Sequence, residues 1–456
     1  MQNFVTMRYF IPIFVLLSVV LYGCNKTEST TSTSSEARVN TFSFYKDTLN
    51  LGLTDATYKI VHTGDTGLIY SQDSLRFGTC LDSVVPYVTY MATPGKVEFI
   101  LPDTTIVSTG SDTMNFAQSP IYLHVTSSDL NNEQWYRINI TVHQVDPDLY
   151  VWEQLTNQIF VPQYCETKAF LLNNELVLYV NNGFSTELYS STTGKSWTQF
   201  EQPTGLPVPC AVREIMQYAN QLYYIHDDQL YCSQDNVHWT ATDYSAASFS
   251  PQTMLMEFNG KAWCIVEDRT DMRLYLATVT DTRIEPFIDM QGLNDGALPE
   301  FFPVGDFAAL KFQSSSERPR AMVVGGRTKT GEPVNTRWNF EYANHTGYRI
   351  KDFTIEQPQF NSLTGISIIQ YDDRLIMFGG IDNDQYWRSD MLVSDDEGMN
   401  WYVPDTAHNQ LPQTYTTRQK QSVLVDEDNN IYIVGGQNQT QSLSDVYRGF
   451  LNSINW

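Results

Sequence analysis

From Val39 onward the chain is dominated by short runs in which apolar and polar residues alternate. Thr41-Phe42-Ser43-Phe44, Tyr58-Lys59-Ile60-Val61, Val97-Glu98-Phe99-Ile100-Leu101, Ile121-Tyr122-Leu123-His124-Val125 and Trp135 to Val142 each follow a period of two. That period sends successive side chains to opposite faces, so these segments predict half-buried strands. Strands broken at short intervals by turn residues predict a β-sandwich over residues 39–146.

Beyond Asp148 the same pattern becomes a repeat. An apolar strand, a tight Asn/Asp/Gly turn and a second apolar strand recur at Leu171 to Val177, Met216 to Tyr223, Met256 to Trp263, Ile369 to Ile376 and Leu424 to Tyr432. A sixth copy fits around Ser314 to Ser316, between Leu310-Lys311-Phe312 and Ala321 to Val324. Units of about 40 to 57 residues, each too small to bury its own faces, predict a six-bladed β-propeller over 147–456. Val151-Trp152-Glu153-Gln154-Leu155 reads as the fourth strand of a blade. The chain stops soon after the third strand of the sixth, so this early segment is expected to complete the last blade and seal the ring. The fold class is therefore all-β.

The N-terminus follows a different pattern. Arg8 is followed by an apolar stretch from Tyr9 to Tyr22 that ends at Gly23 and Cys24. The stretch is shorter than the roughly 20 residues a spanning helix needs, and it has the layout of a signal peptide over 1–23. Leu21-Tyr22-Gly23-Cys24 resembles the bacterial lipobox, with Tyr22 in place of the usual small residue. The resemblance implies acyl chains on Cys24, and Asn25 in place of aspartate implies delivery to the outer membrane. Residues 24–38, rich in Ser and Thr, are expected to form a flexible tether.

Composition narrows the set of partners. The formal net charge of −24 repels phosphate backbones, so no nucleic-acid partner is expected. Cys80, Cys165, Cys210, Cys232 and Cys264 match no zinc spacing and leave disulfides or buried thiols open. Asp426-Glu427-Asp428 lacks the alternating ligands of a calcium loop and reads as a hairpin tip. Neither a metal nor a cofactor is implied.

Two motifs refine the repeat. Val323-Val324-Gly325-Gly326, Met377-Phe378-Gly379-Gly380 and Ile433-Val434-Gly435-Gly436 resemble the double glycine of kelch blades, and Ser389-Asp390 and Ser444-Asp445-Val446-Tyr447 resemble the start of the third kelch strand. Ser394 to Trp401 fits the Asp-box pattern S-x-D-x-G-x-x-W, with a looser copy from Ser190 to Trp197 and a degenerate one ending at Trp239. In both families these residues are structural. The whole chain resembles Gram-negative lipoproteins that join an Ig-like domain to a kelch-type propeller of the galactose-oxidase central-domain kind. The resemblance implies a spacer or contact role for residues 39–146.

Propellers of this kind take ligands at one mouth of the central channel, between the loops joining strands two and three and the segments entering strand one. The first set contains Asp227-Asp228, Glu267-Asp268-Arg269, Arg327-Thr328 and Asp382 to Arg388; the second contains Glu166, Lys168, Arg213, Glu214, Asp306 and Arg418. Arg213, Glu214, Arg327, Tyr386, Trp387, Arg388 and Arg418 are the candidate ligand-binding residues, since aromatic faces stack on sugars while charged groups fix hydroxyls or an acid. Sialidase chemistry is disfavoured because Arg318-Pro319-Arg320 lies in the wrong blade. Galactose-oxidase chemistry is disfavoured because His226, His238, His345 and His408 form no ligand pair. The expected function is a non-enzymatic binding or scaffolding lipoprotein that presents the propeller mouth to a glycan or protein partner. The alternative is a carbohydrate-active enzyme of epimerase or glycosidase type, with Arg213, Glu214 and Arg418 as acid/base and anion clamp.

Overall fold

The computed structural model describes residues 33–452, except 55, 65, 162–163, 243–247, 281–282, 315, 355–359 and 406–410. Arg8, the apolar stretch and Cys24 lie outside the described residues. The chain divides into two compact units, Met1–Gln144 and Val145–Trp456. Among the described residues no helix is long and apolar enough to cross a membrane.

The first unit holds a six-stranded sheet and a two-stranded one. In the larger sheet the order is Tyr58–Val61, Thr66–Ser71, Glu133–Asn139, Ile121–Ser127, Pro94–Ile100 and Thr105–Val107; the smaller pairs Val39–Phe44 with Pro86–Tyr90. Their apolar faces enclose one core that includes Phe42, Phe44, Ile69, Phe99, Phe116, Leu123 and Tyr136. Burial alternates strictly along Ile121–Ser127, as its period of two requires. The Tyr136 hydroxyl, inside this core, accepts the Val39 N–H at 3.0 Å and meets His62 Nδ1 at 2.9 Å.

The tether reading of 24–38 needs correcting at its C-terminal end. Ser34 N–H donates to Ser128 Oγ at 2.7 Å, Asn132 Nδ2 donates to the Ser35 carbonyl at 3.0 Å, and Ala37 is buried in the core. Ala37, the one apolar residue of the segment, is what docks it.

The second unit is a β-propeller built from successive antiparallel sheets. The first runs Glu166–Leu172, Glu175–Asn181, Thr186–Ser191, Thr198–Gln199; the second Met216–Tyr218, Gln221–His226, Gln229–Ser233, Thr240–Thr242; the third Phe249–Phe258, Lys261–Asp268, Leu274–Thr280, Arg283–Pro286. The fourth runs Ala308–Gln313, Pro319–Val324, Arg337–Ala343, Gly347–Asp352, and the fifth Ser367–Tyr371, Arg374–Phe378, Met391–Ser394. The last runs Ser422–Val425, Ile431–Val434, Val446–Leu451 and then Tyr150–Thr156, the early Trp-led segment. The hairpin turns obey their sequences: Asn173-Asn174, Asn259-Gly260 and Asp372-Asp373 all adopt positive φ, which a two-residue turn between twisted strands needs.

The glycine doublets tie the fourth, fifth and last sheets each to the one that follows. Their φ values repeat closely, +59 and +96° at Gly325-Gly326, +61 and +93° at Gly379-Gly380, and +61 and +94° at Gly435-Gly436. In each pair the second N–H reaches the segment entering the following sheet. Gly326 donates to the Leu363 carbonyl at 2.7 Å, Gly380 to the Arg418 carbonyl at 2.9 Å, and Gly436 to Thr167 Oγ1 at 3.2 Å, which links the last sheet to the first. A Cβ on Gly379 would lie 2.5 Å from the Arg418 carbonyl oxygen, so both the backbone angle and the space exclude a side chain there.

The S-x-D-x-G-x-x-W segment closes a hairpin of the fifth sheet. Asp396 Oδ1 accepts the Asn400 N–H at 2.7 Å and the Ser394 hydroxyl at 2.9 Å; Ser394 Oγ accepts the Gly398 N–H, and buried Trp401 donates to the Gly398 carbonyl at 3.1 Å. In the looser copy Trp197 makes the same bond to Gly194 at 3.0 Å, but Ser191 rather than Ser190 holds the turn, because Ser190 is bonded to Glu175. Among the described residues Cys80, Cys210, Cys232 and Cys264 are free thiols, and burial pushes that of Cys210 up to about 12.

Candidate functional site: the channel mouth

The strands nearest the propeller axis line a cavity of about 630 Å³ that every sheet helps to wall. Residues contributed include Glu166 and Lys168 from the first sheet, Arg213 and Glu214 from the turn entering the second, Thr253 from the third, Asp306 from the segment entering the fourth, Ser367 from the fifth and Gln421 from the last. Alternation explains the first pair: Glu166 and Lys168 face the cavity while Thr167 and Ala169 are buried between sheets, where Ala169 N–H donates to Ser422 Oγ at 2.8 Å. Arg213 and Glu214 sit in a short 3-10 turn, Val212–Glu214, whose apolar neighbours Cys210, Val212 and Ile215 are buried. Burying those three leaves the two charged side chains no direction but the channel.

Hydrogen bonds stitch the mouth together. Gly365 N–H donates to the Asp306 carbonyl at 3.0 Å, and Lys420 N–H donates to the Gly365 carbonyl at 2.6 Å. The Arg213 guanidinium reaches across to the Lys420 and Gln421 carbonyls. Asp306 is held between Lys420 and Arg327, each at 3.4 Å. Asp306 and Lys420 both adopt positive φ, so corresponding turns open each entering segment toward the channel.

With Arg213 and Asp306 engaged, three charged side chains of the mouth are left over. Glu166, Lys168 and Glu214 make no side-chain hydrogen bond or ion pair to the protein among the described residues. Burial pushes the Glu214 carboxyl up to about 7, and the charges of Glu166 and Asp306 push the same way. Burial pulls the Lys168 amine down to about 7, and the Arg213 charge adds to that. Burial also lowers Arg213, against the pull of Asp306 and Glu166. Part of Glu214 stays open to the channel, yet surrounding protein displaces most of its hydration, so its ionised form is disfavoured.

The other sequence candidates lie elsewhere. Arg327 pairs with Asp306 and donates to the Gly331 carbonyl at 3.0 Å, beside the cavity rather than in its wall. Tyr386, half-exposed, Trp387 and Arg388 follow a turn in which Asp382 Oδ1 accepts the Tyr386 N–H at 2.9 Å; Arg388 pairs with Asp390 at 2.9 Å, and none of the three lines the cavity. Asp228 holds Arg269 at 2.8 Å, and Glu267 holds Lys329 at 2.5 Å.

Arg418 requires a correction. It is wholly buried and grips both Asp445 oxygens, and two further bonds go to the carbonyls of Gly435 at 3.0 Å and Thr416 at 2.9 Å. Its guanidinium lies 4.5 Å from the Tyr415 ring centroid. It ties the segment entering the last sheet to the later strands of that same sheet, and four of its five N–H donors are used in doing so. Gln421 and Ser367 belong to the channel wall but carry no motif. They could have been found only by aligning the positions that enter each repeat's first strand.

Comparison with known proteins agrees with this architecture. Residues 146–456 match the family described as the DUF6242 beta propeller domain, and residues 26–140 match the family described as the domain of unknown function (DUF6242) N-terminal domain. No curated protein matches. Among solved structures, that of YjhT is similar over 64% of this chain and 96% of its own, at 12% identity and a TM-score of 0.45. An α-L-arabinanase of Penicillium chrysogenum, complexed with arabinobiose, is similar over 66% of this chain and 96% of its own, at 11% identity and a TM-score of 0.40. The propeller match spans well over half the chain, and with the N-terminal match preceding it, the chain belongs to the DUF6242 family.

Proposed function

We propose that this chain is a cell-envelope lipoprotein, held by acyl chains on Cys24 at the outer membrane, whose propeller binds a glycan in the channel mouth without transforming it. The observation that carries this reading is the set of unpartnered charged groups, Glu166, Lys168 and Glu214, gathered on one cavity of about 630 Å³. Desolvating a charge without a partner is costly, so such groups favour a ligand that supplies both donors and acceptors. A glycan has hydroxyls that do both, and the cavity is of the size that takes one or two sugar rings.

The scaffold is read as a six-bladed ring of kelch type, with residues 39–146 as an Ig-like spacer. Six successive sheets wall one channel, the early strand Tyr150–Thr156 joins the last, and the glycine doublets repeat their geometry. The two sheets around one core support the sandwich reading. Asp396 and Trp401 act as an Asp-box would, holding a turn away from the channel.

The titration of Glu214 and Lys168 near neutrality favours a second reading, a carbohydrate-active enzyme of epimerase or glycosidase type, because such groups can exchange protons at working pH. Binding and product analysis of the purified chain on a glycan array separates the two. Retention without product, weakened by Glu214→Gln and Lys168→Met, supports the binder. Product that disappears in Glu214→Gln supports the enzyme, and silence on every glycan sinks both in favour of a protein partner.

A further inference from the structure

Among the described lysines Lys46 and Lys59 are exposed, Lys261 lies over two aromatic rings, and Lys168 stands apart from the ion-paired ones. Lys96, Lys195, Lys311, Lys329, Lys351 and Lys420 each hold a carboxylate. Lys168 projects into the channel with no carboxylate bound, its amine 5.9 Å from the Phe170 ring centroid. The charged groups that face it in the channel are Glu166 on its own strand, Arg213 and Glu214 from the second sheet's entering turn and Asp306 from the fourth, whose carboxylate is also held by Lys420. Arg213 is fixed by main-chain carbonyls and cannot give up its charge, so of the two neighbouring cations the lysine is the one that loses its proton.

A desolvated amine beside a fixed cation, open to a cavity and free of a carboxylate clamp, is the arrangement that makes a lysine nucleophilic. The carboxyl of Glu214, which burial holds protonated up to about neutrality, lines the same space. We infer that Lys168 captures the carbonyl group of an aldehyde or ketone ligand, such as the open-chain form of a reducing sugar, as an imine within the channel. This rests on the channel being a ligand site, and it names the ligand's reactive group.

The step balances without any redox partner. The neutral Nζ lone pair attacks the carbonyl carbon, a C–N bond forms, and the carbonyl oxygen takes a proton from the Glu214 carboxyl. The Glu214 carboxylate takes one proton from the nitrogen and passes it to the hydroxyl, the C–O bond breaks as water leaves, and the nitrogen returns its second proton to Glu214 to leave the imine. The reverse sequence releases the ligand unchanged.

The test treats the purified full chain with glyceraldehyde and sodium cyanoborohydride at pH 7.5, followed by peptide mapping. The reduced adduct is expected on Lys168 at least about tenfold faster than on exposed Lys46 and Lys59, because a far larger share of its amine is neutral. Glu214→Gln is expected to slow Lys168 labelling severalfold and leave the two reference lysines unchanged, with thermal melting confirming that the variant is folded. Labelling of Lys168 no faster than the reference lysines overturns the inference. Glycan binding, measured on the same preparation without reductant, keeps the two ideas apart. Glycan retention with Lys168 unlabelled removes the imine and leaves the channel reading, whereas neither signal on folded protein removes both.

Discussion

Replacing Arg418 tests whether this residue is a structural clasp or a ligand group. Arg418→Met keeps the bulk of the stem but removes four donated hydrogen bonds, two to Asp445 and one each to the Gly435 and Thr416 carbonyls. It leaves the Asp445 carboxylate, whose side chain is only 12% exposed, without its counter-charge. Removing one member of a buried ion pair costs about 3–5 kcal/mol, chiefly because the survivor is stranded. At about 2–4 °C per kcal/mol for domains of a few hundred residues, the propeller transition should fall by about 6–20 °C. Differential scanning calorimetry separates this transition from that of the N-terminal unit, which should not move. Adding Asp445→Leu to Arg418→Met should recover about 1–4 kcal/mol, since the stranded charge is then gone. A single variant within about 1 kcal/mol of the parent, or one that loses glycan retention at unchanged stability, would refute the clasp and return Arg418 to the binding residues.

Glu214→Gln should show a signed pH dependence. The folded-state carboxyl sits near 7, above its ordinary value of 4.5, so its relative contribution to stability is fully present below about 4.5 and is lost as pH rises through about 7. The variant should melt with the parent at pH 4.5 and above it at pH 8; equal gaps at both would show that Glu214 is not desolvated. Asp396→Ala removes the acceptor for the Asn400 N–H and the Ser394 hydroxyl, and should cost about 1–2 kcal/mol in urea without altering ligand retention. Gly379→Ala forces a side chain into positive φ against a carbonyl and should cost about 2–4 kcal/mol, against about 1 kcal/mol for Gly183→Ala, where the space is open.

Much of the fold was legible because strands and turns are local. The alternation at Ile121 to Val125, the Asn-Gly turn at Asn259-Gly260 and the doublet at Gly379-Gly380 all depend on neighbours in sequence, and each appears in place. The strands Thr66–Ser71 and Pro86–Tyr90 were harder to see. Thr66–Ser71 owes its place to a parallel partner some 70 residues away, Glu133–Asn139, and Pro86–Tyr90 to pairing with Val39–Phe44. The site was legible only in part. Arg213 and Glu214 stood out as a charged pair set among apolar residues, and they do line the channel. Arg418 was singled out by its place in the segment entering the last sheet, but its fate was decided by Asp445, which the folding of that sheet's own strands brings back beside it. Whether an arginine serves a ligand or a neighbour is a tertiary property, and no local pattern encodes it.

The pairing of Tyr150–Thr156 with Val446–Leu451 also bears on the order in which the protein is made. Glu153 and its ion-pair partner Arg448 are 295 residues apart, so the outer strand of the last sheet emerges early and waits for almost the entire propeller before its partner exists. Until then Trp152 and a row of main-chain donors stay unpaired, and the entropy of closing so long a loop keeps the last sheet from forming ahead of the others. Ring closure thus waits until Val446–Leu451 has been made. A chain interrupted anywhere before Val446 carries a raw strand edge that a protease or an aggregate can recognise, and a finished one hides it.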